Sequence, residues 1–217
     1  MQKVLRYFND NGLLETIKKV LMRVLGIFGL KKSETYILNL YMNCDIKVEI
    51  NNLGIRILQL LEEHTDEFNK VKYFDFINIK EKINSKYSKI FIAMDNNKII
   101  GYVCCNFNTN HLIHNMGFWN LNKDEAWIGP TYVVKNYRNR GVHRALLIKS
   151  INEMYRSGIV SFYTAINKNN APSLKSFRNV GFTKIGIIKI RKILRKTIRQ
   201  EIIELNDEQV MKSKFNN

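Results

Sequence analysis

Apolar residues near the start of the chain recur three and four positions apart: Leu13, Leu14, Ile17, Val20, Leu21, Val24, Leu25 and Phe28. Glu15, Lys18, Lys19 and Arg23 fall mostly between them. That spacing predicts a basic amphipathic helix, weakened at its end by Gly26 and Gly29. Residues 1–33 therefore read as a helical appendage, residues 34–207 as the main domain and residues 208–217 as a polar tail. The apolar stripe suits packing against that domain, pairing with a second copy in a homodimer, or peripheral contact with a membrane surface. Packing is the favoured reading.

Further along, the period changes. Residues 35–41 and 46–50 read as short strands, the second with clean alternation. Residues 55–68 read as a helix carrying Ile57, Leu58, Leu60 and Leu61, and residues 72–87 as irregular helix. The clearest hairpin pairs 89–94 with 98–105 around the turn-forming Asp95, Asn96 and Asn97. A polar stretch over 107–124 precedes another strand at 126–134. Gly129 and Pro130 in its middle predict a bulge or splay, because proline cannot donate to the ladder. A basic turn over 135–140 leads to a helix over 142–155, stopped near Gly158, and then to a strand at 159–166. A loop over 167–172, a helix over 173–179 closed by Gly181, and strands near 183–191 and 196–204 complete a mixed α/β pattern.

Composition narrows the classes. Of 217 residues 45% are hydrophobic and 11% aromatic, enough to fill a core and to exclude general disorder. Eleven Gly and 2 Pro exclude a collagen-like or low-complexity chain. Three cysteines, two of them adjacent (Cys104, Cys105), make no disulfide framework, so a reducing compartment is expected. No run of about twenty uncharged apolar residues predicts a spanning helix, and the start lacks a leader's apolar stretch, so a cytoplasmic protein is expected. The formal charge of +16 favours polyanions. Its densest cluster, residues 189–199, interleaves cations with aliphatic residues as a half-buried strand pair does. With neither stacking platform nor docking helix in view, a nucleic-acid partner ranks well behind general surface charge.

The chemistry concentrates at one turn. Arg138, Asn139, Arg140, Gly141, Val142, His143 and Arg144 join a strand to a helix. Gly141 allows close approach of a ligand to the backbone, and the first helical amides point outward with the positive end of the dipole. Arg138, Arg140 and Arg144 add full charges. Taken alone, the turn is equally a pyrophosphate site or an ordinary basic strand-to-helix connection.

With the strand ending at Val133 and Val134, the strand after the helix, and the run from Asn170 to Phe182, the chain resembles the GCN5-related N-acetyltransferase (GNAT) family. That family's first motif runs strand, Arg or Gln, two residues, Gly, one residue, Gly or Ala; Arg138 and Gly141 match it. Asn170, Ser173, Gly181 and Phe182 match the second motif, which runs from Asn through a short helix to Gly-Phe. The resemblance covers residues 89–182 well, extends to residue 35, and is absent from the first thirty. Two positions depart from it: His143 stands at the final Gly/Ala position, and Phe177 is aligned with a Tyr that in many members serves the coenzyme sulfur.

The resemblance implies a mostly antiparallel central sheet flanked by helices and splayed between the family's fourth and fifth strands. Acetyl-coenzyme A would lie in that gap, with Val133, Val134, the 138–144 turn, Asn170, Ser173 and Phe177 as its contacts and an amide near Val134 facing the thioester oxygen. Because an amine is protonated at neutral pH, a base is needed. Glu125 is the first candidate and Asp124 the alternate, although both also suit solvated turn carboxylates. His111 and His114 lie in the polar stretch, while Trp127, Tyr132 and Tyr163 are either pocket or core. No metal is expected. The implied reaction is acetyl transfer to a primary amine of a small molecule. The general style resembles members linked to surface polysaccharides, so an amino sugar or nucleotide-linked amino sugar is the expected acceptor. The alternatives are a protein or peptide acceptor, or a coenzyme-binding or membrane-associated scaffold without catalysis.

Overall fold

The computed structural model describes residues 17, 31–47, 54–71, 79–113, 117–193, 196–204 and 214–216. The expected N-terminal helix falls outside them except for Ile17, which is helical and exposed. Eleven strands are described: β1 (Lys31–Tyr41), β2 (Arg56–Gln59), β3 (Ser88–Asp95), β4 (Lys98–Phe107), β5 (His111–Ile113), β6 (Gly117–Trp119), β7 (Glu125–Val133), β8 (Ser161–Asn167), β9 (Thr183–Ile193), β10 (Lys196–Glu204) and β11 (Phe215–Asn216). The described helices are α1 (Thr65–Val71), α2 (Ile79–Asn84), α3 (Val142–Arg156) and α4 (Ala171–Arg178).

Eight strands form one sheet in the order β10-β9-β1-β8-β7-β4-β3-β2, and β11, β6 and β5 form a small second sheet. Every pair in the large sheet is antiparallel except β7 with β8. This is the mixed, mostly antiparallel sheet expected.

The β3–β4 hairpin turns on Asn96 and Asn97, with φ of 46° and 64°. Two successive left-handed residues match the right-handed twist of the flanking strands, and Asn tolerates that conformation better than most side chains. Gly101 on β4 has a different reason. A Cβ there would stand 2.9 Å from the Tyr132 carbonyl oxygen on β7, so its absence lets the two strands approach.

Helix α3 lays Leu146, Leu147 and Ile151, all at 0% exposure, against one face of the sheet. On the opposite face Phe68 of α1 packs on Tyr102, with ring centroids 4.8 Å apart. Beside it Trp119, Trp127 and Tyr163 form a third buried cluster under the small sheet. Among the described residues no helix is long and apolar enough to cross a membrane.

Three expectations are corrected. The helix expected over residues 55–68 is instead an edge strand, β2, followed by a short 3-10 turn at Glu62–His64 and then α1. Pairing with β3 overrides the local pattern. In the strand expected at residues 46–50, Ile46 and Lys47 are non-strand, and residues 48–50 lie outside the described ones. The Asn152 side chain of α3 holds Ile46 by both its N–H and its C=O, each at 2.9 Å. Finally, the expected polar tail contributes β11, which pairs with β6.

Candidate active site

Strand β7 supplies the site's spine. Its parallel ladder with β8 covers only Glu125, Ala126 and Trp127. Beyond them the strands separate, and the Thr164 hydroxyl donates to the Ile128 carbonyl at 2.8 Å where the gap begins. The register with β4 shifts in this same region: Cys105 faces Ile128 and Val103 faces Thr131, so β7 carries one extra residue at the cis Gly129–Pro130 bond. Such a bulge changes which face later side chains occupy. Ala126, Ile128 and Val133 consequently all join the core beneath α3, although strict alternation would turn Val133 away.

Hydrogen bonding decides which amide faces the gap. The Val134 N–H donates to the Ile100 carbonyl at 2.9 Å, so it is already used within the sheet. In an antiparallel ladder the neighbouring residue then directs its own N–H and C=O away from that partner. Val133 therefore presents its backbone to the gap, and Arg138 Nε donates to its carbonyl oxygen at 2.9 Å. The backbone that faces the gap at this end of β7 is thus that of Val133, with the Val134 N–H used within the sheet.

Arg138 ends a 3-10 turn (Lys135–Tyr137) and places its guanidinium 5.6 Å from the Tyr132 ring centroid. Arg140 lies over Tyr137 at the same distance, and the Tyr137 hydroxyl donates to Asp95 at 2.8 Å, tying the turn to the β3–β4 hairpin. Asn139 and Gly141 are left-handed, with φ of 60° and 81°. Gly141 precedes α3 without any side-chain cap, and the first helical bond is Ala145 N–H to Gly141 O at 2.9 Å. The amides of Val142, His143 and Arg144 therefore begin the helix with no carbonyl one turn back to receive them. Amides in this arrangement, with exposed Arg140 and Arg144 beside them, are chemically suited to an anion.

His143 sits where glycine or alanine was expected. Its Nδ1 is 2.7 Å from Ser176 Oγ on α4 and its Nε2 is 3.0 Å from Thr131 Oγ1 on β7. The ring thus spans from one side of the gap to the helix beyond it. Burial pushes its pKa down to about 4. The imidazole is neutral at pH 7, so one nitrogen donates and the other accepts.

Phe177, expected as a coenzyme contact, is 2% exposed and packs edge-on against Phe182 in the core. Its ring also meets His143 edge-on, with centroids 5.7 Å apart, and Ser176, one position earlier, sets its hydroxyl against the same imidazole. A hydroxyl therefore stands one position before the phenyl ring to which the alignment pointed. Asn170 caps α4, its side chain accepting from the Ser173 amide at 3.3 Å.

Glu125 is not a solvated turn residue. It is 6% exposed, accepting from the Asn122 amide at 2.7 Å and from the Tyr163 hydroxyl at 3.2 Å. Lys214 Nζ donates to Oε2 at 2.6 Å. Burial pushes the Tyr163 hydroxyl up to about 12, so it remains a donor. Asp124 contributes its backbone carbonyl, which accepts from Val160 and Ser161. Trp127 and Tyr163 are 4% and 5% exposed and form a buried wall beside Glu125. Tyr132 packs toward Tyr102 on β4.

His111 stacks on Trp127 at 4.7 Å, and burial pushes its pKa down to about 3, which makes it a poor proton acceptor. His114 lies outside the described residues. Cys104 and Cys105 are fully buried, and burial raises the Cys104 thiol to about 12 and the Cys105 thiol as well.

The acetyltransferase (GNAT) family model matches residues 56–182. Among solved structures, a GCN5-related N-acetyltransferase from Sphaerobacter thermophilus is 15% identical, with a TM-score of 0.56 over 82% of this chain and 57% of that one. Aminoglycoside N-acetyltransferase AAC(6')-Iy bound to a bisubstrate analogue of coenzyme A is 17% identical, with a TM-score of 0.50 over 59% of this chain and 90% of that one. The same enzyme bound to coenzyme A also matches at 17% identity and a TM-score of 0.50, over 59% of this chain and 91% of that one. No curated protein sequence matches the chain.

Proposed function

The chain belongs to the GNAT family and is an acyltransferase, and from that premise we propose that it moves acetyl from acetyl-coenzyme A to a primary amine of a small molecule. The observation that carries this is the pairing of the uncapped, Gly141-led start of α3 with the gap beside Val133. The first suits a diphosphate; the second suits an extended pantetheine arm lying against a free strand edge.

Acetyl-coenzyme A supplies the activated carbonyl when bound. The amides from Asn139 to Arg144 would hold its phosphates, with Arg140 and Arg144 adding charge. The Val133 N–H is available to the thioester oxygen, where a donor is worth most as negative charge grows. Glu125 receives the proton of the incoming ammonium through water, because eight residues of β7 separate it from Val133, while Tyr163 and Asn122 fix the orientation of the carboxylate. Ser176, linked through neutral His143 to Thr131, would be the hydroxyl available to protonate a departing thiolate. The attack is direct, within a complex holding both substrates, and the main work is positioning.

For the acceptor, an amino sugar, free or nucleotide-linked, is the reading we adopt. It is supported by fold neighbours that act on aminoglycosides and by a buried carboxylate suited to a cation. Acetyl-coenzyme A should raise the melting temperature, and thiol release should then follow with members of an amino-sugar and aminoglycoside panel. A thermal shift without thiol release from any amine would reduce the protein to a coenzyme-binding scaffold.

A further inference from the structure

Helix α2 holds a lysine ammonium at the start of the gap. Lys82, half-buried, donates from Nζ to Oδ1 of Asn106 at 2.7 Å, and Asn106 is itself 6% exposed. Asn106 Nδ2 in turn donates to the Gly129 carbonyl at 3.5 Å. Asn106 faces Trp127 across β4 and β7, at the residue where the β7–β8 ladder ends. His111 stacks on that same Trp127, and the Lys82 charge adds to burial in holding the His111 pKa down. Among the described residues no ion pair uses Lys82, although an ammonium carries three donors and Asn106 takes one.

Asn106, Trp127, Tyr102 and Tyr132 share the face of the sheet opposite α3, since cross-strand partners point the same way. Coenzyme anchored at the α3 amides occupies the α3 face, so an acceptor meets the gap from this other one. At the far end Arg138 stands over the Tyr132 ring, and of its nitrogens only Nε has a hydrogen-bond partner among the described residues. Two cations thus line the acceptor's approach, Lys82 by Gly129 and Arg138 by Val133. Four residues, at most about 13 Å of strand, separate these positions.

We propose that the acceptor amine carries a phosphate and that Lys82 binds it; this rests on the acetyl-coenzyme A reading above. The two Nζ–H donors left after Asn106 suit the several oxygens of a phosphate, and charge on both partners strengthens each bond. Asn106 holds the ammonium in place before the acceptor arrives, so little side-chain freedom is lost on binding. The reacting amine lies at the thioester beside Val133, and the phosphate lies toward Gly129. That separation exceeds one sugar ring and suits a sugar bearing a phosphate or diphosphate. A polyamine such as an aminoglycoside sets several ammonium groups against Lys82 and Arg138, and like charges in apposition exclude it.

The test is isothermal titration of acceptors into the full chain saturated with coenzyme A, which reads acceptor affinity without turnover. The probes are glucosamine, glucosamine 1-phosphate, UDP-glucosamine and kanamycin. The proposal expects a phosphate-bearing sugar to bind on the order of tenfold tighter than glucosamine, an advantage that shrinks with added salt. Lys82→Gln, which keeps a donor for Asn106, should abolish that advantage without altering coenzyme affinity, and Lys82→Arg should retain most of it. An advantage shared by the 1-phosphate assigns a sugar phosphate, and one confined to UDP-glucosamine assigns a nucleotide-linked sugar; both support the proposal. Equal affinities for phosphorylated and free sugars, or an advantage that survives Lys82→Gln, would overturn it and leave the acetyltransferase reading standing. Kanamycin binding more tightly than either phosphorylated sugar would do the same, as would coenzyme binding with no acceptor taken up. Absence of coenzyme binding would overturn both.

Discussion

His143 Nδ1 lies 2.7 Å from Ser176 Oγ, joining the first turn of α3 to α4 across the end of the β7–β8 gap. A position that favours a minimal side chain in the family holds an imidazole whose two nitrogens are both engaged within the protein. The ring is directed between β7 and α4, leaving the backbone amides of the turn to face outward.

Stability should therefore depend on pH through this ring. Burial lowers the His143 pKa from its ordinary 6.5 to about 4. Between those values the unfolded chain binds a proton that the native chain refuses. The contribution is complete above about pH 6.5 and is lost as pH falls toward 4. His111, lowered to about 3, extends the decline further into acid. Melting temperatures from pH 7 to pH 4 should fall less steeply for His143→Gln than for the unsubstituted chain. Equal slopes would contradict the assignment.

Glu125→Gln should lower turnover by ~10²–10⁴ while leaving coenzyme affinity unchanged. Steady-state kinetics and titration with coenzyme A check this, and unchanged turnover in the substituted enzyme would remove Glu125 as the base.

Gly141 holds φ at 81°. Valine there costs on the order of 1–2 kcal/mol of backbone strain and brings methyl groups toward the phosphates. Asparagine tolerates the conformation. Affinity for coenzyme A should fall from Gly to Asn to Val, with a small loss of melting temperature for Asn. Isothermal titration orders the three, and equal affinities would count against the turn as the diphosphate site.

Ser176 and Phe177 should separate cleanly. Phe177→Ala removes a buried ring and should cost ~3–5 kcal/mol of stability. Ser176→Ala should leave stability within ~1 kcal/mol while slowing thiol release. Chemical denaturation and single-turnover kinetics on the two variants check this. The reverse pattern would restore Phe177 to the cleft.

Much of this architecture is legible in the sequence because its signals are local. Paired Asn residues specify the β3–β4 turn, an interrupted strand foretells the bulge at Gly129–Pro130, and Gly141 marks the start of α3. Where the signal is tertiary, the sequence misleads. Arg56–Gln59 has apolar pairs that suit a helix and becomes a strand only because β3 offers an edge. Nothing near Glu125 announces that it is buried, since its partners Tyr163 and Lys214 arrive from 38 and 89 positions away. The choice between Ser176 and Phe177 had a readable signal. Leu174 and Phe177 are both buried at a spacing of three, while Ser173 and Ser176 keep the same spacing on another face of α4. A two-residue strand such as β11 has no sequence signature at all.

The central claim is that the backbone from Asn139 to Arg144 grips the diphosphate of the coenzyme. Titrating coenzyme A into isotopically labelled protein and following each backbone amide by NMR tests it most directly. The account predicts the largest, saturable shifts at Arg140, Gly141, Val142 and His143, with a further shift at Val133. Saturable shifts that leave those amides unmoved, or no response at all, would contradict it.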